Sequence, residues 1–257
     1  GITQILAPVL DINREPRMGR EGETYGEDST LAAAMGSAYT RGVQKQGEGE
    51  CRAESVAKHY MGFHQSEGGI HGTVCSIPER LLREVYGLPF QAAIAEENLR
   101  GVMPCYCSIG GEPVSASEHL LTQILRQEMG FDGVAVADYS AVSNVHHTQK
   151  LYETEAEAGL ACLSAGMDVE LPDTVCFNEE MKAMFAQGKA DMALLDQAVR
   201  RVLRAKFRMG LFEHPFALTG SALSEMVHHP EDELITLQSA LESLVLLKND
   251  NHVLPVG

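Results

Sequence analysis

Basic residues are scarce in this chain: 20 lysines and arginines face 36 aspartates and glutamates, for a formal net charge of -16 over 257 residues. No Lys/Arg-rich stretch interrupts that acidic field, so nucleic acid and anionic membrane surfaces are not expected as partners. Long apolar runs are missing too; none approaches the roughly 18 to 20 residues that a membrane-crossing helix needs. No Gly-x-Gly-x-x-Gly follows a predicted strand, which argues against a dinucleotide cofactor. Six cysteines stand at 51, 75, 105, 107, 162 and 176 without a C-x-x-C pair. Buried free thiols in a reducing compartment are therefore expected rather than a disulfide frame. The pairs His146-His147 and His228-His229 hold adjacent side chains that point apart on a helix or strand, so no metal is expected. There is no internal repeat and no low-complexity tract.

What is present is β/α alternation. With 44% hydrophobic and 22% charged residues, the chain suits one large globular domain, or a domain plus a fragment of another. Strand-like runs recur at 4–11, 55–61, 101–107, 133–138 and 167–171, with helical segments between them. Pro78 stands at the expected first position of a helix that runs towards Phe90, with Pro89 near its end. Leu194, Leu195, Ala198, Val199, Val202, Leu203 and Phe207 keep i, i+3, i+4 spacing from an Asp191 cap to a Gly210 stop, the mark of an amphipathic helix. Glu213-His214-Pro215 breaks that pattern, and a linker over 213–231 leads to a helix at 232–242. The run 243–248 reads as a strand entering a second domain. No charged-then-apolar leader stands in front; the chain opens directly on a strand, as a piece of a longer chain would.

Polar residues gather where the strands end. Asp138 closes the alternating run Gly133-Val134-Ala135-Val136-Ala137, and a carboxylate at the carboxyl end of a buried strand lies where α/β enzymes place their chemistry. It reads equally as a nucleophile or base, or as the cap of the next helix. The first strand ends at Asp11 and leads to Arg14, Arg17 and Arg20 among Glu15, Glu21, Glu23, Glu27 and Asp28, a set that suits either a substrate clamp or structural ion pairs. The second strand ends in Lys58-His59-Tyr60, a cationic pair able to hold several hydroxyls of one small ligand and costly to bury unpartnered. The third carries Met103 and Tyr106, which read as the wall of a sugar site or as core. Asp168 and Glu170 read as pocket floor or, preferably, as structural hydrogen-bonding groups.

Taken in order, these segments resemble glycoside hydrolase family 3. The resemblance rests on Ala7-Pro8-Val9-Leu10-Asp11, Glu15-Pro16-Arg17-Met18-Gly19-Arg20 with Glu23-Thr24-Tyr25-Gly26-Glu27-Asp28, Lys58-His59-Tyr60, Val102-Met103-Pro104-Cys105-Tyr106, Gly130 to Tyr139 and Ala165-Gly166-Met167-Asp168-Val169-Glu170. The stretch from Arg200 to Phe212 is similar to the end of that family's first domain, and Ala240 to Asn249 to the start of its second. The resemblance implies a (β/α)8-type, TIM-like barrel over 1–212 that lacks its first strands, followed over 232–257 by the first elements of an α/β sandwich. It implies a retaining exo-β-glycosidase with Asp138 as nucleophile. Arg20, Lys58 and His59 would bind sugar hydroxyls, with Met103, Tyr106 and Tyr139 lining the site. No cofactor and no metal are implied. Attack on the anomeric carbon needs an ionised carboxylate, which cations at Lys58 and Arg20 favour.

The family's two-domain members take the acid/base from a Glu of the second domain, which is expected to come from the remainder of the enzyme or from a second chain. The one-domain branch uses a His within Asp-Ser-His, and that pattern is absent here; the loop carries His64 and His71 instead. Ser66-Glu67-Gly68-Gly69 and Ala137-Asp138-Tyr139 are similar to the bacterial β-xylosidase and β-glucosidase subgroup. The expected activity is exo-1,4-β-xylosidase on short β-linked oligosaccharides, with β-glucosidase or dual activity as the alternative. A reading from another class is a sugar-binding subunit that needs a second chain. Cytoplasmic work on imported oligosaccharides is what the subgroup implies, and a homo-oligomer is compatible with it.

Overall fold

The structure, a computed structural model, describes residues 1–44, 53–227 and 229–256; Cys51 and His228 lie outside the described residues. It divides into a body over Ile2–His214 and a second unit made of Gly1 with the residues from Pro215 onward.

The body is built on parallel strands β1 (Gln4–Ile5), β2 (Glu54–Tyr60), β4 (Gly101–Pro104) and β7 (Val134–Ala135), hydrogen-bonded in the order β1-β2-β4-β7. A Val9–Lys58 bridge prolongs β1, and a Val136–Val169 bridge adds a fifth parallel segment. Covered on both faces, β2 and β4 are buried over almost their whole length; β4 reads as the apolar run Gly101-Val102-Met103-Pro104, whereas β2 carries Glu54, Ser55 and His59 into the interior with its apolar residues. A closed eight-stranded ring is not formed among the described residues; the sheet is an open arc. Gly133 is required at the start of β7, since a Cβ there would stand 2.0 Å from the Arg100 carbonyl oxygen. A small sheet of β3 (Val74–Cys75), β5 (Ser108–Ile109) and β6 (Glu112–Pro113) sits beside the strand ends.

Helices fill the intervals. The first, α1 (Ser29–Gln44), returns the chain from β1 to β2. Between β3 and β4 the single helix expected from Pro78 to Phe90 is instead three pieces: α2 (Glu79–Leu81), a π-helical turn at Leu82–Tyr86, and α3 (Leu88–Glu97). Pro89 stands in the first turn of α3, not at a helix end, because its missing N–H costs nothing there. A second π-helical stretch, His119–Glu128, precedes β7. Then come α4 (Ala141–His147), α5 (Glu155–Ala165), α6 (Glu179–Ala186) and α7 (Met192–Arg208). A capping box of Thr154 and Glu157 starts α5, and the Asp191 carboxylate caps α7 by accepting from the Ala193 N–H at 2.9 Å.

The two faces of the arc bury different cores. Val56, Met103, Val134 and Val136 pack on one face with Val202 and Ala205 of α7. The opposite face carries Ala57, Val102 and Ala135 into the main core, where Tyr60 meets Phe90 edge to face at 5.2 Å.

The second unit contains α8 (Gly220–Met226) and α9 (Pro230–Glu242). The strand expected at 243–248 is not formed: Ser243 is a turn, and Leu244 to Leu247 run on in irregular, exposed conformation. A strand's backbone groups need a ladder partner, and none is present for this run among the described residues.

Candidate active site

All strands of the arc run parallel, so their carboxyl ends share one rim, and the polar residues singled out in the sequence meet there. Asp138 lies just past β7, its side chain 14% exposed. Its Oδ1 accepts from the Tyr139 N–H at 2.8 Å. Its Oδ2 is 3.5 Å from His59 Nε2. The helix-cap reading fails on geometry: the cap of α4 is Ser140, at φ 65°, and the Asp138 side chain bonds no N–H of the helix. Only its carbonyl joins the turn, accepting from the Ala141 N–H at 2.9 Å.

Lys58 and His59 arrive from the end of β2, where the ladder with β4 shifts register between Lys58 and Tyr60. Such a bulge re-aims a side chain at a sheet rim. His59 is 1% exposed and its Nε2 also lies 3.4 Å from Arg20 Nη2. Arg20 is held by Glu23 in a two-pronged pair, Nε to Oε1 at 2.6 Å and Nη2 to Oε2 at 2.7 Å. That pairing raises the Arg20 pKa and lowers that of Glu23. The third guanidinium nitrogen, Nη1, donates to His71 Nε2 at 3.3 Å, and the guanidinium carbon stands 5.3 Å from the Phe63 ring centre. Phe63 is fully buried and touches His59, His64, His71 and Tyr106, so one ring braces most of the site. Burial lowers the pKa of both His64 and His71. Burial and the nearby Asp138 charge raise that of the Tyr106 phenol.

Tyr106 donates its hydroxyl to the Tyr139 carbonyl at 2.9 Å. With His71, Gly72, Tyr139, Asn144, Thr148 and Gln149 it lines an open cavity of about 180 Å³. Tyr139 is 55% exposed at its mouth. Met103 pairs in register with Lys58 but is 1% exposed among Val56, Val134 and Val136, and it offers no open surface. A larger cavity of about 630 Å³ lies among Leu163, Phe177, Met181, Phe185 and the α7 residues Leu195 and Val199. Its lining is mostly apolar, with Asp168, Asn178 and Lys182 as the polar members, and includes none of the residues around Asp138.

Asp168 and Glu170 are structural. Asp168 bonds Arg126 and Arg201 at 2.8 Å each and accepts from the Ala135 N–H at 2.9 Å. Glu170 accepts from the N–H groups of Cys176 and Phe177, and burial raises its pKa. Cys75, Cys105, Cys107, Cys162 and Cys176 are free and buried, as expected of them. His146 bonds the Tyr152 carbonyl at 2.9 Å and His147 bonds Glu155 at 2.8 Å, so the two rings serve different partners. Among the described residues no group of three or more His, Cys, Asp or Glu is arranged to hold a metal ion.

Three residues of the site were named from sequence without a role in it: Glu23 as one acid beside the arginines, His71 as an occupant of the loop, and Asp11 as the end of the first strand. Glu23 opened the segment Glu23-Thr24-Tyr25-Gly26-Glu27-Asp28 that carries the resemblance, but its partner was not read. His71 follows a Gly68-Gly69 turn whose tightness is the one readable signal. A Cβ on Gly69, at φ +67°, would lie 2.7 Å from the Arg17 backbone, so the two loops meet backbone to backbone and bring His71 to Arg20.

A parallel α/β domain that collects a carboxylate, a Lys-His pair and an arginine on its carboxyl rim belongs to the class that binds small polar ligands at strand ends. The chain belongs, more narrowly, to glycosyl hydrolase family 3: the model of that family's N terminal domain matches residues 1–205. It is 36% identical over its full length to a β-xylosidase of Formosa agariphila, covering 37% of that protein. It is 35% identical, again over its full length, to a lysosomal β-glucosidase of Dictyostelium discoideum, covering 32%. Among solved structures, a β-glucosidase from Erythrobacter marinus matches 99% of the chain at 32% identity with a TM-score of 0.92, over 34% of its own length. A β-glucosidase from Listeria innocua in complex with glucose matches 99% at 31% identity with a TM-score of 0.91, over 35% of its length. The chain thus spans about a third of the length of these relatives.

Proposed function

We propose that this chain carries the nucleophile and sugar-binding part of a retaining exo-β-glycosidase that removes terminal β-D-xylosyl residues from short oligosaccharides. The observation that carries the reading is the meeting of Asp138, His59 and Arg20 at one rim, with His59 Nε2 3.5 Å from the Asp138 carboxylate. In this reading Asp138 attacks the anomeric carbon, the glycosidic bond breaks, and a covalent glycosyl-enzyme forms; water then releases the sugar. Arg20, Lys58 and His59 hold the hydroxyls, and Tyr106 and Tyr139 flank the ring. The carboxylic acid that protonates the leaving group, about 5 to 5.5 Å from the nucleophile in retaining enzymes, is assigned to a Glu of the family's second domain. The open arc is read as part of a (β/α)8-type barrel ending near residue 212, with the sandwich domain starting near 232, and the site of action as the cytoplasm. A β-glucosidase or dual activity is the second reading, favoured by relatives named β-glucosidase and by the Listeria structure with glucose. Only one hydroxymethyl group separates the two sugars, a difference of ~1–3 kcal/mol in a tolerant pocket.

The test uses 2,4-dinitrophenyl β-D-xyloside and β-D-glucoside, whose leaving group departs without protonation. The chain should cleave the xyloside faster. Asp138→Gly should lose turnover by at least a thousandfold, and added azide should restore it with formation of the α-glycosyl azide. Full turnover by Asp138→Gly without azide would remove Asp138 as nucleophile.

A further inference from the structure

Asp11 is buried, 3% exposed, and both hydrogen bonds that its side chain receives among the described residues come from one residue. Its Oδ2 accepts from the His59 backbone N–H at 3.2 Å and from the His59 ring at Nδ1, 2.7 Å away. Its Oδ1 has no hydrogen-bond partner. The contrast with Asp168 is instructive, since both oxygens there are satisfied by arginines and a backbone N–H. A carboxylate serving the fold alone is normally saturated in this way, because a buried lone pair without a donor is costly. Asp11 is spent instead on the orientation of a single ring. The other charged groups near the pair are His64, whose Nε2 lies 4.0 Å from Asp11 Oδ2, and Arg20 with its partner Glu23. Lys58 is next in sequence, and Asp138 faces the far side of the ring.

The ring contact has a chemical consequence. A carboxylate only accepts, so the proton on His59 must sit at Nδ1, and in the neutral ring Nε2 is then a bare acceptor. Nε2 faces Arg20 Nη2, a donor, at 3.4 Å and Asp138 Oδ2 at 3.5 Å. With the opposite tautomer, Nε2–H would donate to Asp138 and occupy the lone pair needed for attack. We propose that Asp11 is a positioning residue acting through His59: it holds the Nδ1–H tautomer, so that the single lone pair of Nε2 accepts from Arg20, or from a sugar hydroxyl in its place, and leaves Asp138 free to react. The catalytic consequence rests on the hydrolase reading above; the tautomer rests on the hydrogen-bond geometry alone.

Two measurements on the full chain test this separately. In ¹⁵N-histidine-labelled protein at pH 8, with His59 assigned by the signal lost in His59→Gln, long-range ¹H–¹⁵N spectra should show Nδ1 protonated. In Asp11→Ala the proton should move to Nε2. Trapping by 2,4-dinitrophenyl 2-deoxy-2-fluoro-β-D-xyloside, followed by mass of the Asp138 adduct, should slow at least tenfold in Asp11→Ala, with the half-saturating concentration changed less than threefold. Asp11→Asn keeps the volume and one acceptor oxygen, and should recover at least threefold over Asp11→Ala. A bare Nδ1 in the unaltered protein would overturn the proposal, as would an Asp11→Ala protein that is trapped at the original rate. If Asp11→Ala does not fold, the spectrum of the unaltered protein decides. Absence of any adduct on Asp138 in the unaltered protein would count against the proposed activity and leave the spectral result standing.

Discussion

Glu54 shows how one buried group away from the rim sets a pH response. It begins β2, is 1% exposed, and its Oε2 has no hydrogen-bond partner. Burial pushes its pKa up from 4.5 to about 7, against the partial relief of Arg100 and Arg208. The folded state therefore holds a proton between pH 4.5 and 7 that the unfolded chain has released. Stability contributed by this site is intact below about 4.5, falls as pH rises through that window, and is lost above 7. With allowance for solvent screening the loss is ~1–3 kcal/mol. Glu54→Gln should melt like the original at pH 4.5 and higher than it at pH 8, as followed by circular dichroism. Equal shifts at both pH values would mean that the charge is not responsible. At this scale the placement of Asp138, Lys58, His59 and Tyr106 at or just past strand ends was legible, because each follows a run whose composition marks a strand. Asp11's bond to His59 and the Glu23 clamp were not, since partners 48 residues apart in one case and a generic acid in the other carry no local pattern.

Helices and strands were legible in proportion to their punctuation. Asp191 and the i, i+3, i+4 stripe located α7, and Gly133 with its valines located β7. The interval from Pro78 to Glu97 was misjudged because Pro89 tolerates either end of a helix in a pattern reading, and only the π-helical turn before it decides that a new helix starts. The run 243–248 has strand composition but no neighbour to pair with among the described residues, and composition carries no information about neighbours. The capping box of α5 offers a quantitative check. Thr154 Oγ1 accepts from the Glu157 N–H at 3.2 Å, and Glu157 Oε2 accepts from the Thr154 N–H at 3.1 Å. Thr154→Ala should cost about 1 kcal/mol in urea unfolding with the denaturant slope unchanged. Because neither Thr154 nor Glu157 contacts Asp138, His59 or Arg20, trapping of Asp138 should proceed at the original rate.

At the scale of the molecule, the division near Pro215 is the feature with an experimental handle. Residues 213 to 219 are exposed throughout, and Phe216 is 90% exposed. Brief chymotrypsin treatment should cut first after Phe216 and leave a fragment spanning the body, identified by mass, whose far-UV spectrum and melting temperature stay close to those of the whole chain. Early cuts within β2 or β7 would contradict the burial of those strands. The acidic balance belongs to this scale as well: it disfavours polyanionic partners, while the neutral pyranoside substrates proposed here are indifferent to it.

The register shift between Lys58 and Tyr60 makes β2 one residue longer than its ladder with β4 requires. For chimera building this fixes a rule of alignment. A β2 segment transplanted from a regular strand can be aligned to β4 at Lys58↔Met103 or at Tyr60↔Pro104, but not at both. The first choice loses the anchor that Tyr60 makes with Phe90 and the Leu120 carbonyl, and the second moves the lysine off the rim. Sequence length in this strand is therefore as much a part of the site as the identity of its histidine.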